Sequence, residues 1–164
     1  MGNTFGAGQQ SLYLSNGGTE VFIDVLMLAV SDLVEDVWDC RFAALLTLQD
    51  QSIMGRGAVG FNLEDIDWGT TPQERSRSRD FVLCATTLAM SRHRWSELDY
   101  EPPFAQNYLR QFKDMVESFV PADAFHGTGV FPGLDERALA CCTRHRILSA
   151  LPHWEGCFLC TQPR

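Results

Sequence analysis

Apolar side chains recur at the spacing of an α-helix in three long stretches of this chain, and no other feature limits the possible folds as strongly. The first stretch begins at Thr19, a predicted N-cap, and extends to Val37. The second begins at a capping box formed by Thr71 and Glu74 and is expected to end at residue 91 or 92. The third follows a pair of prolines and ends before Pro121. The periodicity therefore predicts a mainly α fold.

The segments outside these stretches are less decisive. Arg41–Leu48 is apolar and too short to separate helix from strand, although its alanines and leucines favour a helix. Residues 1–18 are rich in Gly, Ser, Asn and Gln, which predicts a flexible lead-in with a possible edge strand at residues 12–14. Cys40 and Cys84 fall within apolar helical patterns, so both are predicted to be core thiols.

The last quarter of the chain contains a cluster of potential metal ligands: Cys141, Cys142, His145, Cys157 and Cys160. Either of the adjacent cysteines forms a C-x2-H or C-x3-H pair with the histidine, and a C-x2-C pair follows after 11 residues. Thiolates and a neutral imidazole suit tetrahedral Zn(II), and four such ligands leave no open position for catalysis. The spacing therefore predicts a structural zinc site.

A helix is predicted over residues 135–151, and it would place Cys141 and His145 on one face because they are four residues apart. After Pro152 the chain is expected to fold back, so that the C-x2-C pair closes the site, with His153 as a spare ligand. Two alternatives remain for the cysteines, a redox dithiol at the C-x2-C pair and a set of inert buried thiols.

The length of 164 residues and the 45% hydrophobic content favour one domain. The predicted organisation is a flexible lead-in over 1–18, a helical core over 19–133, and a metal-binding segment over 134–164 packed on that core. The predicted fold is thus a mainly α, single-domain helical bundle with a C-terminal zinc-stapled helix-turn hairpin.

Negative charge is concentrated in the first part of the chain. Residues 1–70 carry ten acidic and two basic side chains, which accounts for the whole net charge of −8. Such a field repels nucleic acid and favours a basic protein partner. The predicted partner-binding face consists of Asp32, Glu35, Asp36, Asp39, Glu64, Asp65, Asp67 and Trp68. The alternatives are a solvated acidic face, or internal ion pairs with Arg75, Arg77 and Arg79.

Most catalytic and cofactor motifs are missing from the sequence. The G-x-G-x-x-G string at residues 55–60 lacks the flanking buried strand and amphipathic helix of a dinucleotide site, so it is predicted to be a flexible loop. The cysteine cluster lacks the glutamate and proline of the zinc deaminase signature. No membrane-spanning run and no secretory signal are recognisable, so we expect a cytoplasmic protein that does not enter a membrane.

Two functions are consistent with these patterns. The first is a small acidic cytoplasmic protein that captures a basic protein and is held together by structural zinc. It is similar in size, charge and lack of catalytic motifs to bacterial immunity proteins, which bind toxins, although no motif of that class is present. The second is a zinc-dependent enzyme or regulator whose site surrounds the C-terminal Cys/His cluster.

Overall fold

The computed structural model describes residues 2–49, 60–121, 130–136, 144–148, 157, 159 and 160. Within them the chain forms a two-stranded sheet and four α-helices. These are β1 (Gly2–Ala7), β2 (Gln10–Ser15), α1 (Asn16–Leu33), α2 (Val37–Thr47), α3 (Pro72–Met90) and α4 (Ala105–Ser118). Short 3-10 helices lie at Leu63–Asp65, Trp95–Glu97 and Leu134–Glu136. The predicted mainly α class is confirmed.

An antiparallel β-hairpin replaces most of the flexible lead-in that was predicted for residues 1–18. Its register pairs Gly2 with Ser15, and Phe5 of β1 is fully buried. Leu12 and Leu14 of β2 are also buried whereas the residue between them is exposed, as the two-residue period of a strand requires. A few well-spaced apolar residues therefore anchor a segment whose overall composition resembles that of a loop.

Helix α1 begins earlier than predicted, because Ser15 and not Thr19 is its N-cap. The Ser15 hydroxyl accepts a hydrogen bond from the Gly18 amide over 3.1 Å. Thr19 is fully buried, donates to the Ser15 carbonyl, and accepts from the Asn3 side chain over 2.8 Å. Thr19 therefore ties α1 to the hairpin and does not start the helix.

The chain turns between α1 and α2, where a single helix as far as Val37 was predicted. Helix α1 ends at Leu33, and Asp36 caps α2 through a capping box with Asp39. The helical prediction for Arg41–Leu48 is confirmed, since α2 covers all but its last residue. Asp36 and Asp39 therefore lie at the N-terminus of α2, where the macrodipole stabilises negative charge.

Helices α3 and α4 follow the sequence prediction closely. Thr71 accepts from the Glu74 amide, the Glu74 carboxylate accepts from the Thr71 amide, and Pro72 occupies the first turn. The buried stripe of α4 consists of Ala105, Leu109, Phe112, Met115 and Val116. The prediction that both isolated cysteines are core thiols is wrong for Cys84, which lies on the exposed side of α3. Cys40 is only partly buried.

One hydrophobic cluster unites the hairpin, the four helices and the described C-terminal positions. The C-terminal contributors are Phe131, Ile147, Leu148, Cys157 and Leu159, each at most 9% exposed. The metal-ligand region is therefore in direct contact with the core through apolar side chains. Among the described residues, no helix is both long and apolar enough to cross a membrane.

A helix was predicted over residues 135–151, but the described residues of that range are not α-helical. Residues 134–136 form a 3-10 turn, and residues 144–148 form a turn and a bend in which Arg146 has a φ of 56°. A left-handed residue ends the helical hydrogen-bond pattern. The remainder of the predicted helix, with Cys141 and Cys142, lies outside the described residues, as do residues 55–59 of the glycine-rich string.

Candidate metal centre

Three of the five predicted metal ligands converge at one point on the protein. The Nδ1 atom of His145 lies 3.4 Å from Sγ of Cys157 and 3.3 Å from Sγ of Cys160. All three donor atoms lie within 4.8 Å of one another. Tetrahedral zinc with ordinary bond lengths separates a sulfur from a nitrogen ligand by roughly 3.6 Å. The observed separations are close to that value, so these side chains can hold a metal ion.

Turns in the local backbone position the donor atoms of these three side chains. The Cys160 amide donates to the Cys157 carbonyl over 3.1 Å, which closes a tight turn and brings both sulfurs to one side. His145 lies in the turn before Arg146, whose left-handed backbone redirects the chain. Buried Leu159, inside the C-x2-C turn, anchors this turn in the core.

The three donors differ in their access to solvent. Cys157 is 5% exposed, His145 is partly buried, and Cys160 is exposed. The site therefore lies at the edge of the core with one side open to solvent. Cys141 and Cys142, the predicted fourth ligand in either register, and the spare ligand His153 lie outside the described residues.

Two contacts with the helical core fix the backbone beside the site. The Arg94 guanidinium donates from Nη2 to the His145 carbonyl over 2.7 Å. Three residues further on, the Leu148 amide donates to the Ser31 hydroxyl over 3.0 Å. Arg94 and Ser31 were not predicted as site residues, since they lie 51 and 117 residues away from their partners and no motif connects them.

Arg94 is itself held by carboxylates. It donates to Glu97 from Nε over 2.5 Å and from Nη2 over 3.0 Å, and to Asp32 from Nη1 over 3.3 Å. The hydrogen bonds to Glu97 raise the pKa of the Arg94 guanidinium, and they lower the pKa of Glu97. His93 also contacts Asp32, with 2.7 Å between Nε2 and the carboxylate. Asp32 of α1 therefore has both His93 and Arg94 as partners.

The predicted partner-binding face is partly occupied by internal ion pairs. Asp39 is fully buried and forms a bidentate pair with Arg77 at 2.5 and 2.7 Å, while Asp36 lies 3.6 Å from the same guanidinium. The hydrogen bonds with Asp39 raise the pKa of Arg77. Asp67 lies 3.6 Å from Arg41. The alternative of internal arginine partners therefore holds for Asp39, which no protein partner can reach in the folded state.

The remaining residues of that face divide into buried and exposed positions. Trp68 is 4% exposed and donates from Nε1 to the Leu63 carbonyl, so its indole belongs to the core. Glu64 is exposed and accepts from the Gly8 amide in the hairpin turn. Glu35 is exposed and Asp65 is partly exposed. Of the residues predicted for that face, Asp39 and Trp68 are thus buried, whereas Asp32, Glu35, Asp36 and Glu64 are exposed.

Comparison of the chain with protein-family models, with curated proteins and with solved structures gave no match.

Proposed function

We propose that this chain is a helical binding protein whose C-terminal segment is fastened to the core by a structural zinc ion. The convergence of His145, Cys157 and Cys160 on one point carries the proposal. The donor set of one imidazole and two thiolates favours Zn(II) over harder cations, which prefer oxygen ligands. Cys141 or Cys142 supplies the fourth ligand, with His153 as a substitute. A site filled by four protein ligands stabilises the fold and has no position for a substrate.

The binding activity is directed at a basic protein. Support comes from the net charge of −8, all of it contributed by residues 1–70, and from carboxylates that remain exposed. Glu35 and Asp36 project from the connection between α1 and α2, and exposed Glu64 extends the acidic surface towards the hairpin. Complementary charge accelerates the encounter with a basic partner and makes it sensitive to salt.

A zinc-dependent enzyme or regulator is the second candidate, and the exposure of Cys160 favours it. A metal at the edge of the core can keep water as its fourth ligand if no further side chain closes the site. The two candidates predict different effects when the fourth metal ligand is replaced. A structural site loosens when that ligand is replaced, whereas a catalytic site keeps its fold and loses turnover.

Metal analysis and thermal unfolding test the zinc proposal. We expect one zinc per chain in tag-free protein, and we expect Cys157→Ser and Cys160→Ser to lose the metal and melt well below wild type. Structural zinc contributes on the order of 10 kcal/mol in small domains, so the loss should be large. Cys84→Ser is the matched control because Cys84 is exposed on α3. A Cys157→Ser variant that melts like Cys84→Ser rules out structural zinc.

Charge-neutralising variants test the partner. Glu35→Gln with Asp36→Asn removes two exposed charges, and asparagine caps a helix as well as aspartate does. We expect this variant to retain less of the co-purifying basic protein, with the difference shrinking at high salt. Asp114→Asn, at an exposed position of α4, is the control, because it lies in residues 71–164, where acidic and basic charges balance. Equal retention by the two variants contradicts an acidic docking face.

A further inference from the structure

Arg94 joins the candidate metal centre to two elements of the helical core. It lies in the connection between α3 and α4, and its side chain is only 14% exposed. One guanidinium contacts the His145 carbonyl, the Asp32 carboxylate on α1, and both oxygens of Glu97. We refer to these four residues as the Arg94 clamp.

The geometry of the clamp uses several donors at once. A guanidinium offers five N–H groups in a fixed plane, and here its three nitrogens are directed at three different residues. The two carboxylates balance its charge, which allows the group to be buried. A lysine ammonium can form up to three hydrogen bonds but not in this planar arrangement, so lysine is a poor replacement.

The clamp acts on the ligand His145 through the backbone. A hydrogen bond to the His145 carbonyl fixes the peptide that carries the imidazole, and the Leu148–Ser31 hydrogen bond fixes the chain three residues later. The imidazole is therefore held in place by the core as well as by its sulfur neighbours. Outer contacts that orient metal ligands typically change metal affinity by about 10- to 100-fold when they are removed.

We propose that Arg94 is a positioning residue for the metal centre, setting zinc affinity by holding the His145 backbone against α1. The inference rests on the zinc site proposed above and assigns that site's affinity to a residue outside the ligand set. Asp32 and Glu97 orient the guanidinium, which removes Asp32 from the partner-binding face and gives it a role in metal binding.

Zinc affinity of Arg94→Met tests the proposal, measured by competition with a chromophoric chelator. Arg92→Met is a closely matched control. Arg92 and Arg94 flank His93, and both have a left-handed backbone, with φ of 67° and 62°. Arg92 pairs with exposed Glu101 instead of reaching the metal centre. We expect Arg94→Met to weaken zinc binding at least tenfold and Arg92→Met to change it less than twofold.

Two further readouts separate positioning from general stability. The Co(II)-loaded protein should show weaker or shifted d–d bands in Arg94→Met, while the circular dichroism of the metal-free protein stays close to that of Arg92→Met. Equal zinc affinity and equal Co(II) spectra in the two variants overturn the inference. A wild-type protein that binds neither Zn(II) nor Co(II) instead overturns the metal site itself.

A conservative variant covers the case in which Arg94→Met fails to fold. Arg94→Lys keeps a positive charge beside Asp32 and Glu97 but cannot reproduce the planar set of hydrogen bonds. We expect zinc binding about fivefold or more weaker than wild type in this variant, on the scale of lost ligand-orienting contacts. Wild-type affinity in Arg94→Lys shows that the charge alone suffices and overturns the positioning role.

Discussion

The ion pair between Asp39 and Arg77 tests whether an acidic side chain of residues 1–70 stabilises the fold or is available to bind a partner. Asp39 is fully buried at the third position of α2, and it accepts hydrogen bonds from the amides of Glu35 and Asp36 at 3.0 and 3.2 Å. Arg77 of α3 approaches the same carboxylate with two nitrogens. Replacing Asp39 with alanine therefore removes a helix cap and a bridge between two helices in one step.

The expected cost follows from these contacts. Opposite charges about 4 Å apart attract by about 4 kcal/mol at an effective dielectric of roughly 20. The Arg77 side chain is 36% exposed, and solvent screening reduces this to about 2 kcal/mol. Loss of the acceptor for the two amides adds about 1 kcal/mol. Asp39→Ala should thus destabilise the protein by about 3 kcal/mol and lower Tm by roughly 6–12 °C.

Urea unfolding of a double-mutant cycle measures the ion pair directly. Asp39→Ala, Arg77→Ala and the double variant should give a coupling free energy of about 2 kcal/mol. Lys113 and Glu117 form an exposed pair on α4 at 3.8 Å, and their cycle should give only about 0.3–0.5 kcal/mol. A coupling for Asp39 and Arg77 no larger than that of the α4 pair refutes the assignment of Asp39 to internal structure.

Three further predictions concern single positions. Gly60→Ala should destabilise the protein by at least about 2 kcal/mol in urea unfolding, because φ is +83° and a Cβ would overlap the Thr4 carbonyl. Glu97→Gln should reduce the loss of stability in acid, measured by urea unfolding between pH 3 and 7. Hydrogen bonds from Arg94 hold the Glu97 pKa below its ordinary value of 4.5, so its contribution is complete above pH 4.5 and lost as pH falls through the lower folded value. Cys84 should react with iodoacetamide in the native state at the rate of an exposed thiol, as peptide mass spectrometry will show; protection contradicts its exposed position on α3.

Features encoded within a few consecutive residues were predictable from the sequence. The capping box of Thr71 and Glu74 fixes the start of α3 by hydrogen bonds between neighbours, and the structure contains both of them. The apolar stripe of α4 needs only the helical period and a core on one side. The start of α2 had a similar local signal in Asp36 and Asp39, but the apolar period continuing past Leu33 concealed the break.

Features that depend on distant partners were not predictable. The hairpin relies on burial of Phe5 beneath α1, and the side that Cys84 presents depends on which faces of α3 meet α1 and α4. For the metal centre, spacing alone predicted that His145 and the C-x2-C pair would converge. Arg94 had no comparable signal, because its contact with the His145 carbonyl uses a backbone atom that any residue provides.

The internal ion pairs reduce the short-range electrostatic attraction between the carboxylates of residues 1–70 and a basic partner. Asp32, Asp36, Asp39 and Asp67 each have an arginine side chain within 4 Å, so much of the local field is cancelled at short range. The net charge of −8 remains, but at physiological ionic strength its influence decays over about 8 Å. Long-range attraction can therefore accelerate an encounter, whereas affinity must come from contacts with the exposed carboxylates and neighbouring apolar groups. Tight binding of a basic protein thus requires a matching surface, and charge alone predicts only weak, salt-sensitive association.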